Sequence, residues 1–253
     1  MSTISVIVIT YNEAKNITRL LKSVNGIADE IIIIDSFSTD ETEQHCQLFN
    51  ARFIQRRFTD FADQRNASIE FATMEYLMFL DADEELSEAL AQQLMLMKQN
   101  GMDKDAYHFN RFNNFCGKWI RHGMWYPEKI VRIIKKGKGN WQGKIHETLQ
   151  PVKGAIVQKI KGDLLHYSYT NLESLVSKLN KYTTLQVLEM AEKKKPAPLF
   201  KLFINPFWAF INGYFLRLGF LDGWEGFIIH QSIAYQTMIK YAKLRHHYAS
   251  KNH

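Results

Sequence analysis

The chain has 253 residues, 46% hydrophobic and 23% charged, enough to bury a sizeable core and unlike a disordered or fibrous protein. Two cysteines, Cys46 and Cys116, supply neither a disulfide framework nor a zinc pattern and suit a reducing compartment. The net charge of +6 is uneven: residues 170–253 carry 11 Lys/Arg against 5 Asp/Glu, so the whole surplus lies in the last third and points to an anionic membrane surface or to nucleic acid.

Met1-Ser2-Thr3 leads directly into a strand-like segment, without the basic region, apolar stretch and cleavage site of a signal peptide, so a cytoplasmic location is expected. Ile4 to Thr10, rich in β-branched residues, predicts a buried strand, and Ile17, Leu20, Leu21 and Val24 recur at helical spacing after it. Ile31 to Ile34 predicts a second strand ending at Asp35. Ser38-Thr39-Asp40-Glu41 reads as the capped, acidic start of a second helix. Ala51 to Ile54, a helix over Asp60 to Ala72 and a strand over Tyr76 to Leu80 complete an alternation that implies βαβ units and a parallel sheet. From about 100 to 168, Tyr107–Phe115, Lys129–Ile134 and Ala155–Ile160 suggest antiparallel strands extending the sheet. From Asn171 the pattern is helical. The expected division is therefore 1–168, an α/β domain, and 169–253, a helical region.

Ligands of open parallel sheets bind beyond the carboxyl ends of the strands. The polar residues fall there: Thr10, Tyr11, Asn12 and Glu13 after strand one, Asp35 and Ser36 after strand two, Asp81-Ala82-Asp83 after strand four. No G-x-G-x-x-G follows strand one and no P-loop is present, which disfavours dinucleotide oxidoreductases and P-loop nucleotidases. Without a glycine cradle a diphosphate needs another source of positive charge, and hard carboxylate oxygens suit Mg²⁺ or Mn²⁺. Asp81 and Asp83, two apart on a strand, share a face. The competing reading has Asp81 capping a helix near Leu86.

The segments Val8-Ile9-Thr10-Tyr11-Asn12-Glu13, Glu30 through Asp40 and Leu80-Asp81-Ala82-Asp83-Glu84 resemble family 2 glycosyltransferases of the GT-A fold. More narrowly, Phe61-Ala62-Asp63-Gln64-Arg65-Asn66, Trp125-Tyr126-Pro127, His146-Glu147 and Gly219-Phe220-Leu221-Asp222-Gly223 resemble lipopolysaccharide inner-core heptose β-1,4-glucosyltransferases. The resemblance implies a Rossmann-like, mostly parallel sheet with an antiparallel extension and a helical C-terminal region. It also implies a UDP-sugar donor, a lipid-linked saccharide acceptor and an inverting transfer. Carried over by position, Tyr11, Glu13 and Asp35 line the base pocket. Asp81 approaches ribose or metal, Asp83 binds the metal, and Gln64, Arg65 and Asn66 lie near the donor phosphates. Phe37 departs from the glycine common in this turn.

Inverting displacement needs one general base, for which Glu147, after a glycine-rich loop, is the candidate. His146 is placed to orient acceptor or base, and His166 to complete the metal shell. Arg132, with Arg111 and Arg121, is a candidate phosphate contact. Phe200 to Phe220 is nearly all apolar, but Lys201 and Arg217 bound too few uncharged residues for a spanning helix of ~20. It either packs as core or lies in a membrane interface. Lys193-Lys194-Lys195 and the tail cations Lys240, Lys243 and Arg245 favour peripheral attachment to an anionic surface on the cytoplasmic face. No recognition motif supports nucleic acid as the partner. A polyprenyl-phosphate sugar synthase and a catalytically silent membrane-binding protein on the same scaffold are the alternatives.

Overall fold

A computed structural model describes residues 1–143 and 147–250. The chain divides into two compact units: Met1–Arg111 with Lys129–His166, and Phe112–Glu128 with Tyr167–His253. The second unit thus includes, besides the helical region expected from residue 169, an excursion at 112–128.

In chain order the elements of the first half are β1 (Ile4–Thr10), α1 (Ile17–Ser23), β2 (Glu30–Asp35), α2 (Thr42–Gln47), β3 (Arg52–Gln55), α3 (Phe61–Ser68), β4 (Tyr76–Asp81), β5 (Glu84–Leu86) and α4 (Glu88–Asn100). There follow β6 (Ala106–Phe115), β7 (Lys118–Trp119), β8 (Glu128–Lys135), β9 (Gly139–Gln142), β10 (Thr148–Pro151) and β11 (Val157–Tyr169). The main sheet runs β3-β2-β1-β4-β8-β6-β11-β5, with β7 on β6, while β9 and β10 pair separately. Strands β1, β2, β3 and β4 are mutually parallel; β8 joins β4 antiparallel and β5 joins β11 antiparallel.

The continuous β-branched runs read as doubly buried strands are so. On β1, Ile4, Val6 and Val8 pack with α1 and α4 through Leu20, Leu21, Leu90 and Leu94, while Ile7 faces Ala62, Phe79 and Trp141 on the other side. At about 1.5–3 kcal/mol per buried aliphatic side chain, this two-faced core fixes the strand register, and with it the row of polar residues at the strand ends.

Helix boundaries shifted where side chains substituted for backbone. The second helix begins at Thr42, because Asp40 accepts the N–H groups of both Thr42 and Ala14 (3.1 Å each). Helix α3 starts at the Asp60 cap, whose Oδ1 accepts the Asp63 N–H at 2.8 Å, and gives way to a 3₁₀ turn at Ile69–Phe71. Helix α4 is capped by Ser87, not Asp81. Both cysteines are free, and burial pushes the Cys46 thiol up to about 12, consistent with an inert core thiol.

The second unit holds α5 (Leu172–Glu192), α6 (Lys201–Phe210), a π-helical segment Ile211–Leu216, a 3₁₀ turn Gly219–Asp222 and α7 (Gly223–Ser250). The fully buried His230 organises it. Its Nδ1 donates to the Gly226 carbonyl (2.6 Å) and its Nε2 accepts the Met124 N–H (3.3 Å). Gly213 and Gly219 press on the ring so closely that a Cβ there would come within 2.0 and 2.4 Å of it, so glycine at these places is a matter of space. Asp222, also buried, accepts the Arg121 and His122 N–H groups at 3.2 and 2.8 Å. No helix among the described residues is long and apolar enough to cross a membrane.

Candidate active site at the carboxyl edge of the sheet

Parallel register brings Thr10 opposite Asp35, and Ile9 opposite Asp81, so the three predicted polar clusters share one edge. They form two networks. In the first, Asp35 is fully buried; its Oδ1 accepts the hydroxyls of Thr10 (2.8 Å) and Ser38 (2.5 Å), and its Oδ2 accepts the Ser38 N–H (2.7 Å). Asn12 ties the adjoining loop, donating its N–H to Ser38 Oγ and accepting the Thr39 N–H, both at 2.8 Å. The Glu13 N–H donates to Thr42 Oγ1, and the Glu13 carboxylate accepts from Asn16. Asp35 and Asn12 thus brace the turn, whereas Tyr11, 60% exposed, is available to a ligand. Gln64, wholly buried, donates to Ser36 Oγ (3.3 Å) and to the Arg56 carbonyl (3.2 Å), and accepts from the Arg56 guanidinium (2.7 Å).

The second network carries the charge. Arg65, buried on α3, donates to Asp81 Oδ1 (2.5 Å) and to Glu147 Oε1 (2.6 Å), bridging the aspartate of strand four to the candidate base. Arg132, buried on β8, donates to Asp81 Oδ2 (2.9 Å) and to Glu84 Oε1 (2.8 Å); Arg111 lies 3.8 Å from the same Glu84 oxygen. The Asp81 N–H closes the loop on Glu84 Oε2 at 2.8 Å. Burial works to raise the Asp81 pKa, but Arg132 and Arg65 outweigh it and hold the carboxyl far below the usual carboxylate range. Burial likewise opposes the Arg132 charge, yet Asp81 and Glu84 raise its pKa. At Glu84, fully buried, burial prevails over the arginines and lifts the carboxyl above its ordinary value.

Asp83 lies in the turn after β4 and not on the strand itself, so it does not continue the strand face of Asp81 as expected; it faces His166, Nε2 to Oδ2 3.4 Å, as β5 and β11 pair Glu84 with His166. Ala82 is buried in the core. Asn66 holds Trp141 from both sides of its peptide, donating to its carbonyl (2.9 Å) and accepting its N–H (2.8 Å). Predicted His146 lies outside the described residues.

Trp141 and Glu84 were not foreseen. The Trp141 ring lies 4.3 Å beneath the Arg65 guanidinium and 5.7 Å from that of Arg132. Its buried Nε1 has no hydrogen-bond partner among the described residues. Only the glycine turn before it, Gly137 to Gly139, marked the segment in sequence, and nothing there reveals what the indole stacks on. Glu84, in sequence one more acid beside the aspartates, is fully buried on β5.

The parallel β3-β2-β1-β4 order with its antiparallel extension is that of a GT-A fold. The chain belongs to glycosyl transferase family 2, whose family model matches residues 5–151. An uncharacterized glycosyltransferase of Rickettsia prowazekii, RP128, is 28% identical over 97% of this chain and 87% of its own length. The lipopolysaccharide core biosynthesis glycosyltransferase LpsC of Rhizobium meliloti is 28% identical over 98% of this chain and 94% of its own. Among solved structures, glucosyl-3-phosphoglycerate synthase from Mycobacterium tuberculosis, crystallised with Mn²⁺ and UDP, matches 45% of this chain and 44% of its own at 21% identity and a TM-score of 0.37.

Proposed function

We propose that the protein is an inverting, metal-assisted hexosyltransferase. It moves a sugar, glucose as the leading candidate, from a UDP-sugar to a lipid-linked saccharide such as lipopolysaccharide inner-core heptose. It works peripherally at an anionic membrane surface on the cytoplasmic side. The observation that carries the reading is the Arg65 bridge between Asp81 and Glu147. One guanidinium ties the strand-four carboxylate to the candidate base, in the family where a sugar is transferred. The similarity to LpsC supports the acceptor class.

Asp83, in the turn between β4 and β5, and His166 on β11 offer a hard oxygen and an imidazole nitrogen, donors that fit Mn²⁺ or Mg²⁺. Both oxygens of Asp81 are spent on arginines, so Asp81 fits better as the group that orients those cations. Among the described residues no three His, Cys, Asp or Glu side chains form a complete shell, which leaves the remaining ligands to the donor diphosphate and water. When bound, the cation supplies Lewis-acid neutralisation of the diphosphate leaving group.

Tyr11 meets the base at the open end of the braced turn. Arg65 and Arg132, charged, buried and stacked on Trp141, present preorganised positive charge to the phosphates. Glu147 takes the proton of the acceptor hydroxyl as its oxygen attacks the anomeric carbon. The bond from that carbon to the diphosphate breaks on the opposite face, and UDP departs with the electron pair. Configuration is inverted because the displacement is single.

The test is calorimetric titration of UDP-glucose with Mn²⁺ or with EDTA, beside turnover of a heptose-bearing acceptor. Binding is expected to require the cation, and Asp83→Ala to lose turnover with its thermal unfolding unchanged. Equal donor affinity in EDTA overturns the metal role; donor binding without any sugar transfer overturns the acceptor class.

A further inference from the structure

On α6 the exposed stripe is the apolar one. Phe203, Ile204, Phe207 and Trp208 are 65, 59, 67 and 57% exposed, and they recur at i, i+1, i+4 and i+5, a single face of a helix. Polar Asn205 is turned the other way, donating to the Tyr241 hydroxyl of α7 at 3.2 Å. A helix that packs on a water-soluble domain has the opposite arrangement. In the segment that follows, Leu216, Leu221 and Trp224 are each at least half exposed as well. An apolar area of this kind marks an interaction site.

Charge selects the partner. Between Lys193 and Leu221 the sequence has no Asp or Glu, while Lys201 and Arg217 flank the aromatic stripe. The next two acids are committed elsewhere: Asp222 is buried, and Glu225 pairs with Lys118 at 3.0 Å. Two copies joined face to face through this surface would set these cations against their own images. A bilayer with anionic headgroups accepts both the rings and the cations.

The basic tail is otherwise employed. Lys243 donates to Asn180 Oδ1 and to the hydroxyls of Thr183 and Thr184 at 2.8–2.9 Å, tying α7 to α5. Arg245 donates to the Ala197 carbonyl at 2.9 Å, and Lys193 pairs with Glu189. We infer that the protein is held to the membrane by insertion of the aromatic face of residues 200–227 into the acyl boundary, the cations setting only its lipid preference. This deepens the membrane part of the function proposed above and is independent of the transfer chemistry.

The full chain is floated with vesicles of phosphatidylcholine alone or mixed with phosphatidylglycerol, in about 0.1 M and about 1 M NaCl, where the screening length falls from ~10 to ~3 Å. Binding is expected to persist at the higher salt and to favour the anionic vesicles at the lower. Brominated acyl chains should quench the tryptophan fluorescence of the wild type. Phe203→Ser with Phe207→Ser should weaken partitioning by roughly tenfold per ring lost, leaving hydrolysis of the soluble donor unchanged. Release by ~1 M salt, absence of quenching, or a lipid-free dimer that shields Trp208 each overturns insertion. Intact donor hydrolysis in the same samples keeps such a failure distinct from failure of the transferase reading.

Discussion

At the carboxyl edge of the sheet, Arg132 and Glu84 are almost wholly buried and ion-paired; on α6, Phe203 and Phe207 are two-thirds exposed and face outward. Each region reverses the usual placement of its residue type. Buried charges at the edge cost desolvation, which their mutual pairing and the stacking on Trp141 offset. What remains is a buried array of cations around Asp81 with one branch reaching Glu147. The exposed rings need no internal compensation, but leave apolar surface that only a second phase or partner can cover. The edge is therefore finished within its own unit, and substitutions among its buried, ion-paired arginines and their partners should disturb folding and chemistry together. The α6 surface is finished by something outside the chain, and substitutions there should disturb attachment alone.

The largest effect tests whether Glu147 belongs to the chemistry or only to the brace. Glu147→Gln should keep donor affinity and lower kcat by ~10²–10⁴, the usual contribution of a general base. A near-normal kcat with lowered stability would reduce Glu147 to a partner of Arg65. Next, Arg132→Leu should cost about 3–5 kcal/mol of unfolding free energy, because it strands the buried Glu84 beside Asp81. Adding Glu84→Gln should restore a good part of that loss, since the stranded charge is gone. By contrast, Phe207→Ser should stay within about 0.5 kcal/mol of wild type in the same urea titration. If the two substitutions cost alike, the contrast between the regions fails.

A smaller effect concerns His230, whose pKa burial lowers below the ordinary 6.5, with the Gly226 hydrogen bond and Asp222 acting in the other direction. The neutral ring is the folded form, since its Nε2 accepts the Met124 N–H. A depressed folded pKa means that the unfolded chain takes up the proton first. Its stabilisation is thus complete above pH 6.5 and is lost as pH falls towards the folded pKa, by at most about 1.4 kcal/mol per pH unit. Urea midpoints measured on either side of that pH should fall more steeply for the wild type than for His230→Gln. Equal slopes would show that another group sets the acid limit of the helical unit.

The strands of the edge were legible in the sequence because β1, β2 and β4 are buried on both faces, and such strands must be written as unbroken apolar runs. Polar residues directly after them could only lie at the sheet's carboxyl edge. Partner choice was not legible. That Asp81 is held by Arg65 and Arg132, and that Trp141 lies under both, depends on α3, β8 and β9 meeting across tertiary contacts 16 to 76 residues apart in sequence. On α6 the sequence displays the apolar composition and even the period, but period alone does not tell which stripe faces inward. The direction is set by Asn205 meeting Tyr241, and no local pattern announces that pairing. The excursion at 112–128 was hidden for a similar reason: it belongs to the second unit through contacts such as the Gly123 N–H to the Arg217 carbonyl, at 2.9 Å.

Phe37 gives the smallest and most local test of how the edge is built. It departs from the glycine expected of this turn, and its φ of +62° lies in the left-handed region. Ser38 on its far side, fixed to Asp35 by two hydrogen bonds, holds Phe37 in that conformation. A side chain in that region costs about 1–2 kcal/mol, and at 53% exposure the ring recovers only part of it by packing. Phe37→Gly relieves the strain but enlarges the freedom of the unfolded chain, which costs roughly 0.5–1 kcal/mol. The net expectation is a gain of a few tenths to about 1 kcal/mol, read as a higher urea midpoint at unchanged slope. A loss greater than about 1 kcal/mol would mean that the ring is a packed member of the edge. It would also place Phe37 with the finished, internally partnered residues of the site instead of with the outward-facing rings of α6.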